Sequence, residues 1–252
     1  MPAGIEWIFA DGIDRLAQPD GDATSAHVST RVLAVDLDDP RTVALQRLAL
    51  LPSDLADEAR PGATDRRYFR ARRAALRALV AWQLGVTAET IEIAYDAAGA
   101  PRVVAPVLHA VLPGVLAAPS PFISVSARGS RALLAVSASP VGVDFEPDTT
   151  AQPILDVLHP HERAELATLD GAARDRRFLE IWTAKEAYLK ALGDGLTRDP
   201  ATIAVSSFAA SSSAAGLRID DTGETAALLQ GEIRHFELNG VAVVASCIVR
   251  AN

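Results

Sequence analysis

The sequence predicts an α+β fold of two similar lobes, each a small, mostly antiparallel sheet packed with one long helix, and three observations lead there. Short alternating segments bounded by Gly, Pro and Asn read as strands. Two longer stretches place apolar residues at spacings of three and four, the period of a helix with one buried stripe. Finally, Val35-Asp-Leu-Asp38 recurs as Val143-Asp-Phe-Glu146, Leu51-Pro-Ser-Asp54 approximately as Leu158-His-Pro-His161, and Asp65-Arg-Arg-Tyr-Phe69 as Asp175-Arg-Arg-Phe-Leu179, at three nearly equal offsets. A repeat of about half the chain implies two like units related by pseudo-twofold symmetry, divided as residues 1–115 and 116–252.

The elements follow in order. Residues 5–9 and 32–37 are the first strands. A helix begins near Ser53 and is broken by Pro61-Gly62, after which an arginine-rich helix runs to about Leu84 and ends at Gly85. Residues 90–95 read as a strand, Ala98-Gly-Ala-Pro101 as a turn, and the Pro-rich stretch 105–121 as a crossover between lobes. Strands at 122–126 and 132–137 form a hairpin around Arg128-Gly-Ser130. After the Ser139-Pro140 turn comes an acidic strand, Val141-Gly-Val-Asp-Phe-Glu-Pro147, then a helix opening at Pro160, then a long helix carrying Trp182-Thr-Ala-Lys-Glu-Ala-Tyr-Leu-Lys190. The small, Ser/Ala-rich run 206–216 reads as a flexible surface loop. Strands at 232–238 and 241–248 flank Asn239-Gly240, the strongest hairpin signal in the chain.

Composition narrows the function. Of 252 residues, 49% are apolar, enough for a buried core without staples. A single cysteine, Cys247, allows no internal disulfide and fits a reducing compartment. Glu6, Asp11 and Asp14 stand where a signal peptide would be basic and then apolar, and no apolar run is long enough to span a bilayer, so a cytoplasmic protein is expected; the two like units within one chain make a monomer the expectation. A net charge of −8 argues against a general nucleic-acid binder, whose affinity rests on clustered cations. Locally, Arg66, Arg70, Arg73 and Arg77 share one helix face, which reads either as a solvated surface or as an anion site.

The chemistry concentrates in the acidic strand and the last long helix. A period of two puts Asp144 and Glu146 on one face of the strand. Phe178, Trp182, Lys185, Leu189 and Leu192 form one helical stripe, with Glu186 and Lys190 one turn apart. With Glu186 facing the strand, three hard oxygen donors would converge on one Mg²⁺, an ion that takes its remaining ligands from water and substrate phosphates. Lys185 and Lys190 would neutralise phosphate beside it. Taken singly, these residues read as a solvated strand end and a surface ion pair; it is their conjunction that points to a metal and a phosphate.

Gly142-Val-Asp-Phe-Glu146, together with Phe178-x₃-Trp182-Thr-x-Lys185-Glu186-Ala-x₂-Lys190-Ala-x-Gly193-x-Gly-Leu196, resembles the signature of the 4'-phosphopantetheinyl transferases, specifically the longer, pseudo-dimeric Sfp type. Leu158-His-Pro-His-Glu-Arg-Ala-Glu165 and the arginine helix are similar to further parts of it, so the resemblance covers roughly residues 50–200. It implies transfer of the 4'-phosphopantetheine arm of coenzyme A to a serine of an acyl, peptidyl or aryl carrier protein, with release of 3',5'-ADP. It assigns Mg²⁺ to Asp144, Glu146 and Glu186, catalysis to Glu186 and Lys190, and coenzyme contacts to Arg66, Arg73, Ser124, Ser126, Lys185 and Lys190. Two departures stand out. Val125 replaces the histidine of the family's Ser-His-Ser, and Ala100 the lysine of its Gly-Lys-Pro, and both losses remove contacts to the coenzyme's adenylate end. They keep open a non-catalytic coenzyme- or carrier-binding protein, with a Mg²⁺-dependent phosphohydrolase as a third reading.

Overall fold

The computed structural model describes residues 4–17, 30–48, 51, 54, 66–96, 99–104, 120–149, 153–193, 197–209, 214–221 and 229–250. By their contacts they fall into two units, Met1–Ser139 and Pro140–Asn252. The boundary is later than the expected 115/116 because the hairpin of residues 122–137 pairs with the first unit's own sheet. The helix expected from Ser53 and most of the expected crossover at 105–121 lie outside the described residues.

In the first unit, β1 (Ile5–Ile8) pairs in parallel with β2 (Thr30–Asp36). α1 (Pro40–Leu45) opens on Asp39, whose carboxylate accepts from the Arg41 amide, while Pro40 occupies a first-turn site where a missing N–H costs little. α2 (Arg66–Leu84) ends at Gly85, which adopts φ +66°. β3 (Ile93–Tyr95) and β4 (Pro101–Val103) form a two-stranded ribbon. The strand expected from residue 90 starts later, because Thr90 donates its amide and hydroxyl to Thr87 O in a local turn that competes with strand pairing. β5 (Phe122–Arg128) and β6 (Arg131–Ser137) close the expected hairpin and complete a sheet of order β1-β2-β6-β5. Leu33 and Val35 of β2, Leu134 and Val136 of β6, and Ala75 and Leu79 of α2 meet in its core. Buried alanines along α2 let the helix backbone lie close.

In the second unit, β7 (Val141–Pro147) is followed by α3 (Pro160–Leu166) and α4 (Gly171–Leu192). Then come β8 (Ile203–Ala209), β9 (Ala214–Asp221), β10 (Leu229–Leu238) and β11 (Val241–Arg250). All pair antiparallel in the order β7-β11-β10-β9-β8. At the β10–β11 turn Asn239 (φ 50°) and Gly240 (φ 69°) both take the positive φ that a two-residue hairpin with matching twist requires. The run 206–216, expected as a loop, is mostly β8 and β9, with only 210–213 outside the described residues. Its Ser/Ala composition hides the pairing: Phe208 lies directly across from Gly216, its ring occupying the space a Cβ there would need. Val244 and Ile248 of β11, Ile233 of β10 and Ile181 and Ala184 of α4 form the core.

The fold is α+β, with a sheet and a long helix in each unit. In both, a strand leads to a long helix, and a later hairpin returns one strand to the first: β6 to β2, and β11 to β7.

Candidate functional site

β7 and α4 meet at a glycine. A Cβ on Gly142 would stand 1.8 Å from the Ala187 carbonyl oxygen and 2.7 Å from the Ala191 nitrogen, so only glycine admits the helix at this distance. Strand alternation puts Asp144 and Glu146 on the same face as Gly142, the face that α4 crosses. Two contacts fix the helix there. Thr183 Oγ1 and Ser246 Oγ share a buried hydrogen bond of 2.8 Å, and Ser246 is the β11 partner of Asp144. Lys190 Nζ donates to Asp144 Oδ1 at 2.8 Å and to Val143 O at 3.1 Å. Asp144 is 1% exposed, whereas Glu146, Glu186 and Lys190 are half-buried. Glu186 precedes Ala187, the residue at closest approach, on the turn between Thr183 and Lys190.

The acidic strand and the turns of α4 that carry Glu186 and Lys190 therefore meet at one crossing. The convergence of Asp144, Glu146 and Glu186 on one ion does not appear: among the described residues no group of three or more His, Cys, Asp or Glu side chains is arranged to hold a metal ion. Asp144 instead turns Oδ1 to the Lys190 ammonium. The donor chemistry nevertheless suits a hard divalent cation, since the carboxylates offered come from both elements at the crossing that Gly142 permits.

Lys185 departs from expectation. It is fully buried and its ammonium donates to Val157 O (2.8 Å) and Pro200 O (2.9 Å), with Glu162 Oε2 at 2.6 Å. An ammonium has three N–H groups, so none remains for a phosphate. Burial pulls the Lys185 amine below its ordinary pKa, and the Glu162 carboxylate opposes that. Glu162 also accepts from the amides of His159 (2.8 Å), where it completes the capping box of α3, and Val205 (2.8 Å). The pair thus ties α3, β8 and the 200s turn to α4, one residue from Glu186. Sequence reasoning missed Glu162; its only signal was its place three residues after His159, where a capping box puts a glutamate.

In the first unit the arginine face is not solvated throughout. Arg77, fully buried, binds the buried Asp54 carboxylate (2.8 and 2.7 Å) and donates to Ile91 O (2.7 Å). Burial lowers the Arg77 pKa and Asp54 resists the shift. Arg73, 3% exposed, donates to Ile93 O (2.9 Å), lies 3.5 Å from Asp54, and stacks over Phe69 and Tyr95. Arg66 is exposed in the first turn of α2. A cavity of about 270 Å³ opens beside α2, its walls including Phe69, Tyr95, Val125 and Ala127. On β5, alternation sends Ser124 and Ser126, both buried, to the face opposite Val125 and Ala127, so the two serines expected to bind coenzyme do not line this cavity. No helix among the described residues is long and apolar enough to cross a membrane.

Residues 140–241 match the family model described as the 4'-phosphopantetheinyl transferase superfamily. The chain is 30% identical over 138 residues to a Synechocystis sp. protein provisionally named a 4'-phosphopantetheinyl transferase, covering 53% of this chain and 52% of that one. The same identity and length relate it to the 4'-phosphopantetheinyl transferase HetI of Nostoc sp., covering 54% of that protein. The chain thus spans about half the length of the curated relatives it matches. Among solved structures, a Bacillus anthracis holo-(acyl-carrier-protein) synthase in complex with CoA (3',5'-ADP) aligns with 45% of this chain and 97% of its own, at 20% identity and a TM-score of 0.35. The family match lies within the second unit and, like the two relatives, singles out no subtype.

Proposed function

We propose that this chain transfers the 4'-phosphopantetheine arm of coenzyme A to a serine of an apo acyl or peptidyl carrier protein, releasing 3',5'-ADP. The observation that carries the reading is the β7–α4 crossing, where Gly142 lets Lys190 reach Asp144 beside Glu186, inside the segment that the superfamily model matches. The reading extends to the longer, duplicated type, because both units run strand, long helix, returning hairpin.

In this reaction the carrier's serine oxygen attacks the β-phosphorus of the pyrophosphate, the bond to the 3',5'-ADP oxygen breaks, and the hydroxyl proton must be received nearby. Catalysis then rests on position and charge. Lys190 spends two of its three N–H groups on Asp144 and Val143 O, which aims the third and holds the ammonium at the crossing for a phosphate oxygen. Glu186, half-buried on the same turn, is the carboxylate positioned to take the serine proton, directly or through water. Asp144 and Glu146 concentrate negative charge on the strand face. A divalent cation such as Mg²⁺, when bound, would be held by Asp144, Glu146 and Glu186 and would neutralise pyrophosphate charge. Lys185 acts beneath the site by fixing α4.

The test is incubation of the full chain with coenzyme A, Mg²⁺ and a panel of apo-carriers, followed by intact-mass measurement. One carrier gains the mass of the arm, and its serine-to-alanine form does not. Glu186→Gln and Glu146→Gln lower the rate by about 100-fold, the scale for removing one charge-stabilising group, without changing the melting temperature. Manganese titration followed by electron paramagnetic resonance reads cation binding separately, and both variants weaken it. A panel in which no carrier gains mass overturns the transferase reading, and coenzyme binding without transfer would favour a binding protein.

A further inference from the structure

Two arginines line the cavity of the first unit, and they differ in what they already hold. Arg73 is committed: its guanidinium donates to Ile93 O, faces Asp54, and is stacked by Phe69 and Tyr95. Drawing it to a ligand would break its bond to Ile93 O and pull it off the two rings, although Asp54 would keep Arg77. Arg72, the preceding residue, is half-buried with its guanidinium 5.8 Å above the Phe69 ring, and it forms no ion pair or hydrogen bond with any described residue. Val125, which also lines the cavity, offers no positive charge. Asp96, the acidic residue next to the lining Tyr95, is bound to Arg102 at 2.9 Å. The cavity thus joins apolar and aromatic walls to polar ones, with one cation that pairs with no described residue, a lining complementary to a flat ring system bearing a single phosphate monoester.

We propose that Arg72 is the charge-selecting residue of this cavity and that Arg73 is a positioning residue that shapes its wall. Resting on the transferase reading above, the phosphate it selects is the 3'-phosphate of coenzyme A. This explains how the chain keeps a 3'-phosphate contact with valine at 125 and alanine at 100: the charge has moved to the helix.

Calorimetry on the full chain with coenzyme A and with 3'-dephospho-coenzyme A tests it. Wild type binds coenzyme A more tightly. Arg72→Met weakens coenzyme A by about tenfold, the scale of one charge-assisted hydrogen bond, and leaves the dephospho form unchanged, so the preference vanishes while the melting temperature stays put. Arg72→Lys keeps part of the preference. Arg73→Met lowers the melting temperature and weakens both ligands alike. The proposal is overturned if Arg72→Met leaves the preference intact, if it weakens both ligands equally, or if wild type does not distinguish them. A wild type that shows the Arg72-dependent preference while modifying no carrier would remove the transferase reading and leave this one standing. Carriers modified with a KM for coenzyme A indifferent to Arg72 would do the reverse.

Discussion

Lys185 shows what a residue type can and cannot disclose. Its place beside Glu186 on a helix was legible, but the helical period fixes only the stripe on which a side chain stands, and the acceptors that capture its ammonium come from Val157, Glu162 and Pro200, which lie elsewhere in the chain. The strand that carries Asp144, by contrast, was legible, because alternation over three residues fixes which face a side chain takes. The buried pair has a measurable signature. Lys185→Met leaves the Glu162 carboxylate, 2% exposed, without its cation and should cost about 3–5 kcal/mol in urea unfolding, part of which returns in the double variant with Glu162→Gln. A lysine contacting phosphate would give the opposite pattern, with stability kept and the KM for coenzyme A raised.

Among the elements, those announced by backbone chemistry were the ones read correctly. Asn239-Gly240 and Arg128-Gly-Ser130 declare turns, and Gly85, at positive φ, declares a helix end. β8 and β9 escaped notice because serine and alanine carry little alternation, and their pairing depends on the cross-strand contact of Phe208 with Gly216. The long helix α4 is also tied down near its middle. Glu180 accepts from His235 of β10 and from Arg177, each at 3.0 Å, and Arg177 reaches Glu165 of α3 at 2.7 Å. Burial raises the Glu180 pKa, but the hydrogen bonds and charges of His235 and Arg177 outweigh it and hold the carboxyl below its ordinary 4.5. The unfolded chain therefore takes up this proton first. The stabilisation is complete above pH 4.5 and is lost as pH falls from there through the folded-state value. Urea midpoints followed from about pH 6 to about pH 3 should fall less steeply in Glu180→Gln than in wild type.

At the scale of the molecule, the α+β class was legible in the alternating and helical patterns, but the partners of each strand were not. Strand partnership is non-local, and nothing within residues 122–137 says that β6 will pair with β2, some hundred residues earlier in the chain. Each unit owns a separate core, so local damage should stay local. Arg77→Met removes the cation of the buried Asp54 pair. Hydrogen exchange followed by mass spectrometry should then accelerate in β2 and β6 while β7 and β11 keep wild-type rates. Equal acceleration in both sheets would show that the chain opens as one cooperative whole.

The crossing at Gly142 also restricts how the chain can change length. Gly142, Asp144 and Glu146 keep their common face only while the count between them stays even. A one-residue insertion or deletion inside 142–146 reverses the parity, sending the acids away from α4 or bringing a side chain against the Ala187 carbonyl. An added residue before Val141 or after Pro147 leaves that parity untouched. Related chains should therefore carry their indels on either side of this pentapeptide and none within it, a rule of arithmetic imposed by one helix lying too close for any side chain but hydrogen.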